Sequence, residues 1–89
     1  MEFVKYTYHN GNLAIGMRKK GAEYEDIISV NLIDYYTPLN CVFLDTNNYP
    51  NITKIVEQNG IGEDTGYRGR SGFCQYPLFK INIEKLIEA

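Results

Sequence analysis

The stretch Val4–Met17, VKYTYHNGNLAIGM, constrains the fold more than any other part of the chain. Just before and within it the residues alternate. Phe3, Lys5 and Thr7 fall on one side, and Val4, Tyr6 and Tyr8 on the other. A period of two is the signature of a strand. Asn10-Gly11 follows, a strong hairpin signal because both residues tolerate positive φ. Leu13, Ile15 and Met17 then alternate with Asn12, Ala14, Gly16 and Arg18, which predicts a second strand returning antiparallel. Lys20-Gly21 predicts the next turn. Residues 23–33 predict a third strand, with Ile28, Val30 and Leu32 on one face and Ile27, Ser29 and Asn31 on the other. Together these make a meander with short connections.

Pro38 marks residues 35–40 as a loop. Cys41–Asp45, CVFLD, is a short apolar run bounded by turn residues, which suits a central strand buried on both faces. Pro50 fits the first turn of a helix. Ile52, Ile55 and Val56 share one helical face, and Asn59-Gly60 supplies a stop. That helix spans about two and a half turns. Residues 60–72 hold five of the chain's eight glycines and read as a loop. Phe73–Ile81 reads as a strand in which Pro77, unable to donate, argues for an edge or a bulge. Asn82 suits the N-cap of a last helix, with Ile83, Leu86 and Ile87 on one face. The expected fold is α+β, a single domain over residues 1–89. It has an antiparallel sheet of four to five strands with one or two short helices packed on one face, in the order β-β-β-β-α-β-α.

Charge and composition exclude several classes. A net charge of −2 gives little attraction to a phosphate backbone, so strong nucleic-acid binding is not expected. It is also too small for an acidic mimic of DNA. The N-terminus lacks the basic and apolar regions of a signal peptide. No run approaches the eighteen or so apolar residues that span a bilayer. These features point to a soluble, cytoplasmic protein. Cys41 and Cys74 are far apart, and one histidine cannot complete a zinc site with them. They read as reduced core cysteines; a single disulfide is the alternative. No metal site and no cofactor are implied.

The candidate chemistry is concentrated in two stretches. In the glycine-rich segment, Gly60, Gly62 and Gly66 miss the dinucleotide spacing by one residue, and the segment follows a helix instead of preceding one. It is therefore either a surface connection or a binding loop. Arg68 and Arg70 favour the second, because guanidinium forks suit carboxylates and phosphates. The second stretch is Asp45-Thr46-Asn47-Asn48, at the end of the buried strand, where sites are common but where Asx residues also form turns with their own side chains. His9, Ser71 and Cys74 offer no demonstrable catalytic pairing, so the expectation is a protein that is not an enzyme. Eight tyrosines exceed what so small a core can bury, and exposed aromatics beside arginine resemble interface anchors.

Three segments carry a resemblance: Asn10-Gly11-Asn12-Leu13-Ala14, Asp45-Thr46-Asn47-Asn48, and Ser71-Gly72-Phe73-Cys74-Gln75-Tyr76-Pro77-Leu78. In order and spacing, over about Tyr8 to Leu86, the chain resembles a family of small domains of unknown function found on plasmids, conjugative elements and phages. The resemblance implies a mobile-element origin and supplies no mechanism. By analogy it favours a non-enzymatic inhibitor of a host defence system, anti-CRISPR-like, that occludes a protein or ribonucleoprotein surface. The expected partner contacts are Tyr67, Arg68, Arg70 and Tyr76, then Asp45, Asn47 and Asn48. A small-ligand or nucleotide-signal sponge using the same arginines is the alternative, and an accessory protein for plasmid or phage replication or transfer a further one. An exposed edge strand and many tyrosines are also compatible with a homodimer.

Overall fold

The computed structural model describes all 89 residues. The first hairpin forms as the alternation predicts, from β1 (Glu2–Thr7) and β2 (Leu13–Arg18). They pair antiparallel from Glu2↔Arg18 to Thr7↔Leu13. The turn is longer than a two-residue one. Tyr8 N–H donates to the Asn12 carbonyl, Gly11 N–H donates to the Tyr8 carbonyl, and only Gly11 takes a positive φ, +90°. That is the pattern of a three-residue loop ending in a left-handed glycine.

The third strand departs from expectation. It is two short pieces, β3 (Asp26–Ile27) and β4 (Ser29–Val30), which lie in different sheets. Ile28 is the corner between them. Its N–H donates to the Ile15 carbonyl of β2, and its carbonyl accepts from Asp45 N–H, just beyond β5 (Cys41–Leu44). Where the ladder breaks, Ser29 Oγ accepts the Ile15 N–H at 3.1 Å and meets the Tyr8 hydroxyl at 2.8 Å. One segment therefore serves both sheets, which periodicity alone cannot reveal.

The chain next forms α1 (Ile52–Gln58), then β6 (Gly62–Ser71) and β7 (Cys74–Ile81). The helix stops as predicted. Gly60, at φ +68°, lets its N–H reach the Glu57 carbonyl while Ile61 N–H reaches the Val56 carbonyl, a Schellman closure. The glycine-rich segment is not a loop; most of it is β6, paired antiparallel with β7. The last helix is likewise replaced. Only a 3₁₀ turn, Ile83–Lys85, forms before β8 (Ile87–Glu88) pairs parallel with β1. A helix over residues 83–89 would be too short to stand by itself, whereas the free edge of β1 offers backbone partners.

The result is two four-stranded sheets, β3-β2-β1-β8 and β4-β5-β7-β6, with a single short helix. The expected single sheet with helices on one face is thus replaced by a mostly sheet architecture. Between the sheets lies the main core, with Phe3 and Ile15 from the first sheet, Leu44, Phe79 and Ile81 from the second, and Ile52 and Val56 from α1. β5 is buried on both faces, as its sequence predicts. Cys41 and Phe43 point away from the main core into a second cluster with Leu32, Tyr76 and Leu78. Pro77 lies in the central strand β7, not at an edge. The β5 ladder ends at Phe43↔Leu78, one residue short of it. On its other side β6 is bulged, as the proline suggests, because Asp64↔Phe79 is followed by Arg68↔Pro77.

Candidate functional site

The bulge in β6 is closed by its own side chains. Asp64 Oδ1 accepts the Gly66 N–H at 2.8 Å, and Thr65 Oγ1 accepts the Tyr67 N–H at 3.2 Å while donating to the Leu78 carbonyl at 2.7 Å. Gly66, at φ +89°, makes the reversal. Arg68 then reaches back over it, donating through both terminal nitrogens to the two Asp64 oxygens at 2.8 Å each. The Arg68 hydrogen bonds hold the Asp64 carboxyl below its ordinary value, and Asp64 in turn raises the Arg68 guanidinium. The fork expected to take a ligand is therefore occupied by a neighbouring residue. Arg70 is exposed and makes no ion pair.

The remaining predicted contacts divide. Tyr67 is exposed on the bulge, as a contact requires. Tyr76 is not available on the surface. It is buried against Leu32, Cys41, Phe43 and Leu78, and burial raises its phenol, with smaller contributions from Cys74 and Asp45. Asp45 is buried too. It takes the Asn48 N–H at 3.1 Å and the Asn48 side-chain amide at 2.8 Å, so the pair builds the turn that leaves β5. Asn47 is exposed at that turn. The structure thus groups Tyr67, Arg68 and Arg70 on β6, assigns Tyr76 to packing, and uses Asp45 and the exposed Asn48 to build a turn.

The exposed apolar surface lies elsewhere. Gly72 and Phe73 are the two central residues of the β6–β7 turn, with Ser71↔Cys74 as the last pair. Gly72 has φ +60°, the pattern of a type II′ turn, which suits the twist of the flanking strands. The Phe73 ring consequently stands off a tight hairpin, 106% exposed. Residues 31–40 form a strap over the outer face of the second sheet. Leu32 anchors it, and Tyr35 meets Phe43 edge-on with ring centroids 5.9 Å apart. Gly69 permits this close approach, since a Cβ there would lie 2.6 Å from Leu32 Cδ1 and 2.7 Å from Phe43 Cε1. The outward side of the strap presents Ile33, Tyr36 and Leu39. Near its start, Ile33 and Tyr35 share a small depression with Arg70 and Ser71, which brings the strap alongside the hairpin.

Phe73, Ile33 and Leu39 were missed in the sequence, whereas Tyr36 is one of the eight tyrosines read there as a candidate contact surface. Phe73 reads as the first residue of a strand, although an aromatic directly after glycine at a strand junction also fits a turn. One concave feature is a poor candidate by comparison. A groove of about 490 Å³ is lined by Gly60, Gly62, Glu63, Lys80, Ile81 and Asn82, with only one apolar residue, unlike the mostly apolar walls of ligand pockets. No three His, Cys, Asp or Glu side chains converge on a common point. Cys41 and Cys74 are both free. No helix is long and apolar enough to cross a membrane.

Neither the curated proteins nor the solved structures contain a match to this chain. A family model described as a domain of unknown function, DUF4313, matches residues 1–89. The chain belongs to the DUF4313 family.

Proposed function

We propose that this domain is a non-enzymatic protein-binding module whose contact surface is the Phe73 hairpin tip together with the outward side of the 31–40 strap. The observation that carries the reading is the complete exposure of Phe73 on a tight turn. A phenylalanine ring has no polar handle to satisfy in water, and burying one is worth about 1.5–3 kcal/mol. Held on a two-residue turn, its backbone loses little further freedom on docking, and the cost of fixing the ring is about 0.5–1.5 kcal/mol. Ile33, Tyr36 and Leu39 widen the apolar surface, and aromatic anchors of this kind carry much of the energy of protein interfaces.

The proposed partner is a protein or ribonucleoprotein of a host defence system, which the domain inhibits by occlusion. That part rests on the resemblance to mobile-element domains, not on geometry. The nucleotide-sponge alternative called for two free arginines, and Arg68 is closed on Asp64. The replication or transfer alternative has a net charge of −2 against it. A phage-plating assay tests the function. Expression of the domain should raise plaque counts on bacteria carrying active defence systems, and the Phe73→Ser variant should not. Equal plating with and without the domain, across a panel of defence systems, would contradict it.

A further inference from the structure

One end of the main core opens into a hollow of about 330 Å³, where β1 begins, α1 has ended and β8 runs past. Its floor is Phe3 and Ile61, both buried members of the main core. Its walls include Met1 and Ile87, two of the exposed apolar side chains of the molecule. Four of the seven lining residues are therefore apolar, unlike the groove at Gly60 and Gly62. The volume lies within the range of about 300–1,000 Å³ found for small-molecule sites. The floor is also fixed by the backbone. Ile61 N–H bonds the Val56 carbonyl, the Ile61 carbonyl accepts from Asn82 N–H, and Phe3 pairs with Met17. A hollow held in this way is formed before any ligand arrives.

Three polar side chains complete the lining, and two of them are committed. Glu2 is paired with Arg18, whose Nε donates to it at 3.2 Å. The Asn59 side-chain amide donates to the Ile55 carbonyl at 2.8 Å. Lys85 makes no ion pair. Its ammonium rests against Gly60, where a Cβ would lie only 2.9 Å from Nζ. The end of α1 does not occupy it, because the carbonyls of Ile55, Val56 and Glu57 already accept from the N–H groups of Asn59, Ile61 and Gly60. The hollow thus joins apolar walls to one uncommitted cation. We propose that it binds a medium-chain carboxylate, the alkyl chain lying on Phe3 and Ile61 between Met1 and Ile87, and the head group on Lys85. One lysine beside an already paired glutamate matches a single negative charge better than a doubly charged head. The chain covers apolar surface that the fold leaves in water. The site is separate from the Phe73 surface, and the inference does not depend on what that surface binds.

Amide NMR of the nitrogen-15-labelled protein tests it, with octanoate as the probe. Octanoate is titrated to about 10 mM, because a ligand of this size binds at about millimolar strength. The amides of Ile61, Lys85 and Ile87 should shift and saturate, while those of Tyr36 and Phe73 stay in place. Hexanoate, shorter by two methylenes, should bind about fifteenfold more weakly, since each buried methylene contributes about fourfold. Lys85→Gln should weaken octanoate binding about threefold, the share of one exposed ion pair. Lys85 is exposed, so the unliganded variant should keep the wild-type spectrum. Neutral octanamide makes the same comparison on the wild type alone, and should bind as weakly as octanoate binds the variant. No saturable shift at Ile61, Lys85 and Ile87, equal binding of hexanoate and octanoate, or octanamide binding as tightly as octanoate would overturn the inference.

Discussion

Arg68 and Asp64 are joined by a two-pronged ion pair, 2.8 Å on each prong, that bridges the bulge of β6. Both side chains are about a third exposed or more, so solvent screens the pair and its value is about 0.5–1 kcal/mol. Because the Asp64 carboxyl is held below its ordinary value, the contribution is complete above the unfolded value near 3.8 and is lost as pH falls through the lower folded value. Urea melts of wild type and Asp64→Asn should differ by that amount at neutral pH. The gap should narrow as pH falls below 3.8 through the lower folded value, as the carboxyl takes up its proton.

The Gly69 contact predicts a sharper effect. A methyl group at this position would overlap Leu32 and Phe43. Gly69→Ala should therefore destabilise the domain by about 1–3 kcal/mol through overpacking, lowering Tm by about 4–8 °C per kcal/mol in a chain of this size. Differential scanning calorimetry reads this directly. An unchanged melting temperature would mean that the strap is not packed on β6.

Ser29 fills the gap at the corner between the sheets. Removing its hydroxyl leaves the Ile15 N–H buried without a partner, so Ser29→Ala should cost about 1–3 kcal/mol. The loss should show as faster amide exchange at Ile15. Tyr8, which meets the same hydroxyl, has its phenol raised, chiefly by burial. Its contribution is therefore present below the unfolded value of 10.0 and fades as pH rises through the higher folded value.

The cysteines make a two-step prediction. Cys41 is buried and its thiol is pushed up by burial, whereas Cys74 is partly exposed. Iodoacetamide should modify Cys74 in the folded protein and Cys41 only after unfolding. A mass two hydrogens low, marking a disulfide, would contradict the two free thiols.

Where one local rule decided the outcome, the sequence was legible. The alternation around Asn10-Gly11, the apolar run CVFL and the Asn59-Gly60 stop each have one dominant physical meaning, and each formed nearly as predicted. β6 was not legible, because its glycines act through tertiary contacts. Gly69 makes room for Leu32 and Phe43, and Gly66 turns a bulge. Neither signal exists until the strap and β7 are in place. The same reason hides the corner at Ile28, whose two backbone groups serve different sheets. Arg68 and Tyr76 were chosen for residue type, and their partners, Asp64 and the second core, are set by register. Phe73 was missed because alternation continues into the strand behind it, while the turn that exposes it depends on Gly72.

The central claim is that Phe73 and the strap form a protein-binding surface, and a comparative capture experiment tests it most directly. Tagged wild type and the Phe73→Ser/Tyr36→Ser variant are passed through the same lysate of a defence-proficient bacterium, and bound proteins are quantified. Both residues are exposed, so the variant should keep wild-type stability to within about 0.5 kcal/mol. The account predicts a stoichiometric partner on the wild type that is lost from the folded variant. Equal capture by both, or no partner on the wild type, would contradict it.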